Sequence, residues 1–215
     1  HAAEVLNLMI HDGTIQHILP SLCFVRPSLL DLFGEHLNES WLLKHRLGFL
    51  LSEFDPSEVK KSLGTLNLPK SLLNETVQFH RNLGTIPEPR TSSLRVFRYC
   101  LGEDANIHLR LQHLLLEISA SVHGREPLEG SMTEVAVKWS SLGSQKAPSE
   151  SLVDGHWIMK RTGVEQGVRL GRLKRWLHRI QIEHDITEVN AIELHLSRIA
   201  WQHSEPLDWP QLQFP

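Results

Sequence analysis

The chain has 215 residues, 40% apolar and 22% charged, with a net charge of −3 when histidine is neutral. Such a composition belongs to an ordinary globular protein, long enough for one large domain or two small ones, and excludes a polycation that holds nucleic acid by bulk charge. No apolar run approaches the roughly 20 residues that cross a bilayer, and the opening HAAEVLNLMIHDG lacks the pattern of a secretory signal.

A cytoplasmic chain with no membrane partner is therefore expected. Beginning at His1 rather than Met, it reads as a piece of a longer protein, natural or trimmed. Cys23 and Cys100 fit no metal-ligand or redox spacing and read as two buried thiols in a reducing compartment.

Taken in order, the elements are helical. Asp55-Pro56-Ser57-Glu58 places a cap acceptor, a proline at the first helical position and a glutamate at the third, so a helix starts there and stops near Gly64. Leu68-Pro69 opens the next, with Leu72, Leu73, Thr76, Val77, Phe79 and Leu83 inward and Gly84 at its end. Pro87 to Ser93 reads as a loop. A helix follows around Leu94 to Leu101, then a longer one from about Asp104 to Val122 whose Ile107, Leu111, Leu114, Leu115 and Ile118 form a wide apolar stripe. Another spans about Glu129 to Leu142.

The stretch GSQKAPSES from Gly143 to Ser151 is small, polar and broken by Pro148, as a linker would be. Beyond it come a short helix at Trp157, a basic helix, and a third helix that Thr187 would cap, with Val189, Ile192, Leu196 and Ile199 inward. Pro206 to Pro215 reads as irregular, anchored by Trp209. Alternating strand patterns and hairpin dipeptides are missing. The expected fold is all-α: an irregular multi-helix body over 1–142, a linker over 143–151 and a small helical tail over 152–215.

The basic helix carries the most information. Leu170, Leu173, Leu177 and Ile180 recur at helical spacing, and at about 100° per residue Arg172, Arg175 and Arg179 gather on the opposite side. With Lys160, Arg161, Arg169 and Lys174 they form a basic run relieved only by Glu165, while acids dominate from Glu183 to Asp208. Such a helix suits a phosphate-rich partner; a solvated outer face would need the same residues. Gly163, Gly167 and Gly171 lead into it and are placed to cradle a phosphate at its N-terminus, although a sharp turn or close helix packing also calls for glycine.

Catalytic chemistry is not visible. The fourteen histidines are scattered singly, with no HExxH and no paired carboxylates at ligand spacing. His11-Asp12 resembles the dipeptide of a metal phosphohydrolase without its second ligand pair. Glu103-Asp104 sits where acids favour a helix N-terminus. GxSxG, Walker A and GxGxxG patterns are all missing. No catalytic or metal-binding residue is assigned.

Gly155-His156-Trp157-Ile158-Met159, the series Gly163, Gly167, Gly171 and Leu173, and Gln181-Ile182-Glu183 before a final acidic helix resemble the C-terminal tail of bacterial-type (class II) tRNA nucleotidyltransferases, the CCA-adding enzymes, and of the related poly(A) polymerases. At the other end, Leu8-Met9, Gly13 and Ile18-Leu19-Pro20 are similar to the segment after that family's neck, and Trp41 to Glu53 to the following body helix. The pattern departs from the family at Val168, where proline is usual. Ser52-Glu53 stands where some relatives carry the His-Asp of a phosphohydrolase, which implies that this activity is lacking.

The resemblance implies the body and tail without the catalytic head. ATP or CTP and Mg would belong to that head, upstream, and no cofactor is expected in this chain. The implied partner is tRNA or another structured RNA, held by the cationic strip of Lys160, Arg161, Arg169, Arg172, Lys174, Arg175 and Arg179. The alternative is an α-helical protein-interaction domain with no RNA role.

Overall fold

In a computed structural model describing residues 2–36, 41–123 and 129–214, every regular element among the described residues is helical. In chain order these are α1 (Ala2–His11), α2 (Ile15–Ile18), α3 (Pro27–His36), α4 (Leu43–Leu50), α5 (Pro56–Gly64), α6 (Lys70–Asn82), α7 (Thr91–Leu101), α8 (Ala105–His123), α9 (Glu129–Ser141), α10 (Gly155–Thr162), α11 (Val168–His184) and α12 (Val189–Arg198), with 3-10 turns at Pro20–Phe24, Gly102–Asp104 and Pro206–Asp208. Two compact units emerge: His1–Ile86 with Asn106–Glu129, and Pro87–Ala105 with Gly130–Pro215. This division differs from a boundary at 143–151, because α7 and α9 group with the tail helices.

The first unit packs around Leu29, Phe49, Leu51, Val59, Leu63 and Leu111, all at 1% exposure or less. Trp41 sets its ring edge-on to Phe49 at 6.1 Å. α5 begins as its sequence requires, with the Glu58 carboxylate accepting the Asp55 N–H at 3.3 Å. Helices α4 and α6 cross closely at Gly48, where an added Cβ would lie 2.8 Å from Cδ1 of Phe79.

Beside this apolar core lie buried polar groups that periodicity had not singled out. Nε2 of His80 bonds the Leu51 carbonyl at the end of α4 (2.9 Å), and Nε2 of His108 bonds the Asn82 carbonyl at the end of α6 (2.7 Å). The Gln112 side chain accepts the Gly84 N–H at 2.6 Å. Helix ends leave carbonyls without intrahelical partners, and α6 and α8 supply imidazoles to meet them. Asp12 of His11-Asp12 accepts the Thr14 N–H at 2.8 Å, a local turn role. Glu53 is paired with Arg26.

In the second unit Leu170, Leu173, Leu177 and Ile180 are buried as expected, joined by Val153, Ile158, Ile192, Leu196 and Trp209. Other sequence readings need correction. α7 starts at Thr91, inside the expected loop, and Glu188 rather than Thr187 occupies the N-cap of α12. Cys23 and Cys100 are both exposed, not buried. Pro215, the end of the expected irregular segment, lies outside the described residues.

The expected linker is bonded at both ends. Arg98 donates to the carbonyls of Leu142 (3.1 Å) and Gly143 (2.7 Å), and the Tyr99 hydroxyl to that of Ser149 (2.8 Å). The Asp185 carboxylate accepts the N–H groups of Lys146 and Ala147 at 2.7 and 2.8 Å. Gln181, at 1% exposure, accepts the Leu152 N–H and donates to the carbonyls of Pro148 and Glu150. A polar, proline-broken sequence reads as a linker because its ordering partners lie far along the chain.

Candidate nucleic-acid interface

Helices α10 and α11 form a hairpin whose connection follows from two glycines. Asp154 caps α10 by accepting the Trp157 N–H at 2.8 Å. Gly163 then takes a left-handed φ of 70°, and its N–H closes on the Met159 carbonyl at 2.9 Å, an ending for which glycine carries no Cβ penalty. Gly167, at φ 156°, is the N-cap of α11, and nothing stands within 4 Å of a Cβ added at either position. Segment 162–169 and Trp201 line an open cleft of about 470 Å³ over this turn. Gly171 does not belong to the turn. It lies inside α11 with no neighbour that would meet a Cβ.

The structure separates the cationic residues into two sets. Lys160, Lys174 and Arg175 form the first set, exposed, with Arg175 Nε contacting the Gly171 carbonyl of its own helix at 3.4 Å; Arg161 and Arg169 are exposed too but belong to the second set. The remaining arginines are engaged. Arg161 pairs with Glu193 at 2.9 Å and lies over the Trp157 ring. Arg169 donates to the Trp201 carbonyl at 2.8 Å, and Arg172 to those of Pro206 and Leu207, both at 3.0 Å. Arg179 donates to the Gln211 carbonyl at 2.8 Å and pairs with Glu183 at 2.7 Å.

An exposed face uniting Arg172, Arg175 and Arg179 is therefore corrected. Helical spacing gives the angle of a side chain about its axis, not what covers that angle. Here the covering element is the chain beyond α12, running alongside α11 with Trp209 packed on Trp176 at 5.6 Å. Trp176 was the legible sign: a large aromatic among the arginines of an outwardly polar face needs an apolar neighbour.

Charge at the site is shaped further by burial. Burial holds His178 of α11 below the ordinary histidine range against a bond to the Ser149 backbone, with Lys174 adding to the effect. Its ring stands edge-on to Tyr99 at 5.4 Å. Burial thus disfavours a positive charge on His178. Asp185 is held below the usual carboxylate range: burial opposes this, but the N–H groups of Ala147 and Lys146, with Arg95 and the Lys146 charge, outweigh it.

Among the described residues no three His, Cys, Asp or Glu side chains converge as metal ligands, and no helix is long and apolar enough to cross a membrane. Comparisons with protein-family models, with curated proteins and with solved structures find no match.

Proposed function

We propose that this chain is the RNA-binding body and tail of a template-independent RNA nucleotidyltransferase of the CCA-adding or poly(A) polymerase type, which positions tRNA or another structured RNA for a separate catalytic head. One observation carries the reading: an exposed glycine turn opens the same helix that presents exposed cations. The Gly163–Gly167 turn leads into the N-terminus of α11, which favours anions through its unpaired amides and dipole. Lys174 and Arg175 stand further along that helix, and Lys160 on α10. The motif that resembles the nucleotidyltransferase tail is this same hairpin.

Contacts of this kind fix an RNA in place without reading its bases, so selection would come from shape and the spacing of phosphates. Binding energy made here would be used in orienting the 3′ hydroxyl at the head. ATP or CTP and Mg would be handled by that head.

The test is filter binding of bulk tRNA across a salt series, with wild type and a Lys160→Glu/Lys174→Glu/Arg175→Glu variant. The variant should bind at least about tenfold more weakly at low salt, and its log–log salt slope should shrink by about 2. Equal affinity and slope would remove these cations from the interface.

A second reading, an α-helical protein-interaction module without RNA, is favoured by the internal engagement of Arg161, Arg169, Arg172 and Arg179. It predicts that the wild-type chain retains tRNA no better than a random duplex.

A further inference from the structure

We infer that the segment 200–208 is a tethered competitor for the arginine face of α11, which must lift before an RNA backbone can take over the guanidinium donors of Arg169 and Arg172 that its carbonyls now occupy; the inference rests on the RNA reading above. What holds the segment against α11 is largely guanidinium-to-carbonyl bonding: Arg169 to Trp201 O at 2.8 Å, and Arg172 to Pro206 O and Leu207 O at 3.0 Å. These acceptors are neutral. A phosphate oxygen is charged, and charge-assisted hydrogen bonds are about twice as strong as neutral ones. An RNA backbone would thus satisfy the same donors better than the chain does. Glu205 and Asp208, both exposed, give the segment negative charge of its own that opposes an approaching polyanion.

Burial shows where such a segment can come away. None of the residues 200–208 is buried, and Leu207 is 75% exposed. The ends are fixed. Leu196 of α12 is buried on one side, while on the other Trp209 is 3% exposed against Trp176, with Gln211 held beyond it by Arg179. The intervening loop keeps its local concentration near the arginines high through a short tether. Opening costs the carbonyl bonds, the Trp209 Nε1 to Ser204 Oγ bond at 2.8 Å, a few turn bonds and the packing of half-buried Trp201 against the core, with no fully buried side chain in the loop to extract. A low-stability segment over a binding face is where local opening concentrates.

The experiment uses the full chain and bulk tRNA. Pro206→Gly/Leu207→Gly changes two residues that are not buried, and raises the entropy the loop must lose to close on α11. The variant should bind tRNA about fivefold more tightly than wild type at the same salt. In parallel, hydrogen exchange is followed at the amides of His203, Asp208 and Trp209, which bond the carbonyls of Ala200, Glu205 and Pro206 in the closed loop. Adding tRNA to wild type should accelerate exchange at all three. If wild type binds tRNA while these amides slow or stay unchanged and the variant gains nothing, the competitor is overturned and the RNA reading stands. If neither chain binds tRNA, both fall.

Discussion

Arg172 Nη1 donates to the Pro206 carbonyl at 3.0 Å, so a residue in the second turn of α11 holds a segment that follows α12. A second bond to Leu207 doubles the clamp. Arg172→Ala should lower the stability of the second unit by about 1.5–3 kcal/mol, the range for hydrogen bonds with one charged partner. Exposed Arg175→Ala should stay within about 0.5 kcal/mol of wild type. Urea midpoints followed by tryptophan fluorescence would separate the two, and equal shifts would remove the clamp from the account.

Asp185 closes α11 in the left-handed region at φ 56°, with the Ile186 N–H reaching the Gln181 carbonyl at 2.9 Å. Glycine usually takes that position. Here a carboxylate does, because it also binds the N–H groups of Lys146 and Ala147. Asp185→Ala should cost about 2–4 kcal/mol by leaving those donors unmatched, and Asp185→Asn less. Since its folded pKa is depressed, its contribution is complete above the ordinary value of 3.8 and is lost as pH falls through the lower folded value. Urea midpoints of wild type between pH 5 and pH 3 should therefore fall more steeply than those of Asp185→Asn.

His80 is chiefly lowered by burial, against hydrogen bonds to the backbone of Leu51 and Phe54 and the nearby Asp55 charge, and its Nδ1 is buried with no hydrogen-bond partner among the described residues. Protonating it would bury an unmatched N–H. A depressed histidine stabilises the fold fully above its unfolded value, near 6.5, and loses that contribution as pH falls toward the folded value. The first unit should weaken from about pH 7 to pH 5, read from the indole resonance of buried Trp41 during denaturation. His80→Gln should flatten that slope; an unchanged slope would place the acid sensitivity elsewhere.

Gly48 and Gly171 are both helix-interior glycines with opposite surroundings. At Gly48 a Cβ would collide with the buried Phe79 ring, so Gly48→Ala should destabilise by about 1–3 kcal/mol. At Gly171 the space is open, and Gly171→Ala should stabilise by about 0.5–1 kcal/mol through helix propensity. Thermal melts decide both signs. A stabilised Gly171→Ala chain with weaker tRNA binding would show that RNA, rather than the fold, requires the glycine.

Much of the architecture was legible before any coordinates. The capped start at Asp55-Pro56-Ser57-Glu58, the stripe of α8 and the stripe of Leu170, Leu173, Leu177 and Ile180 follow from local rules: cap chemistry and a 3.6-residue period act within a few positions.

The fate of the arginines was not. Whether Arg172 faces solvent or the Pro206 carbonyl depends on how the chain returns after α12, and no period within α11 contains that return. The same holds for Asp185 and Gln181, whose partners lie in 143–151, and for His80 and His108, which complete the ends of other helices. Sequence alone determined the all-helical class, the capped start of α5 and which stripes of α8 and α11 are apolar, because those are short-range consequences of backbone geometry. Only tertiary structure decided which polar side chains are spent inside the molecule, since that depends on long-range meetings of main chain and side chain that satisfy otherwise unmatched donors and acceptors.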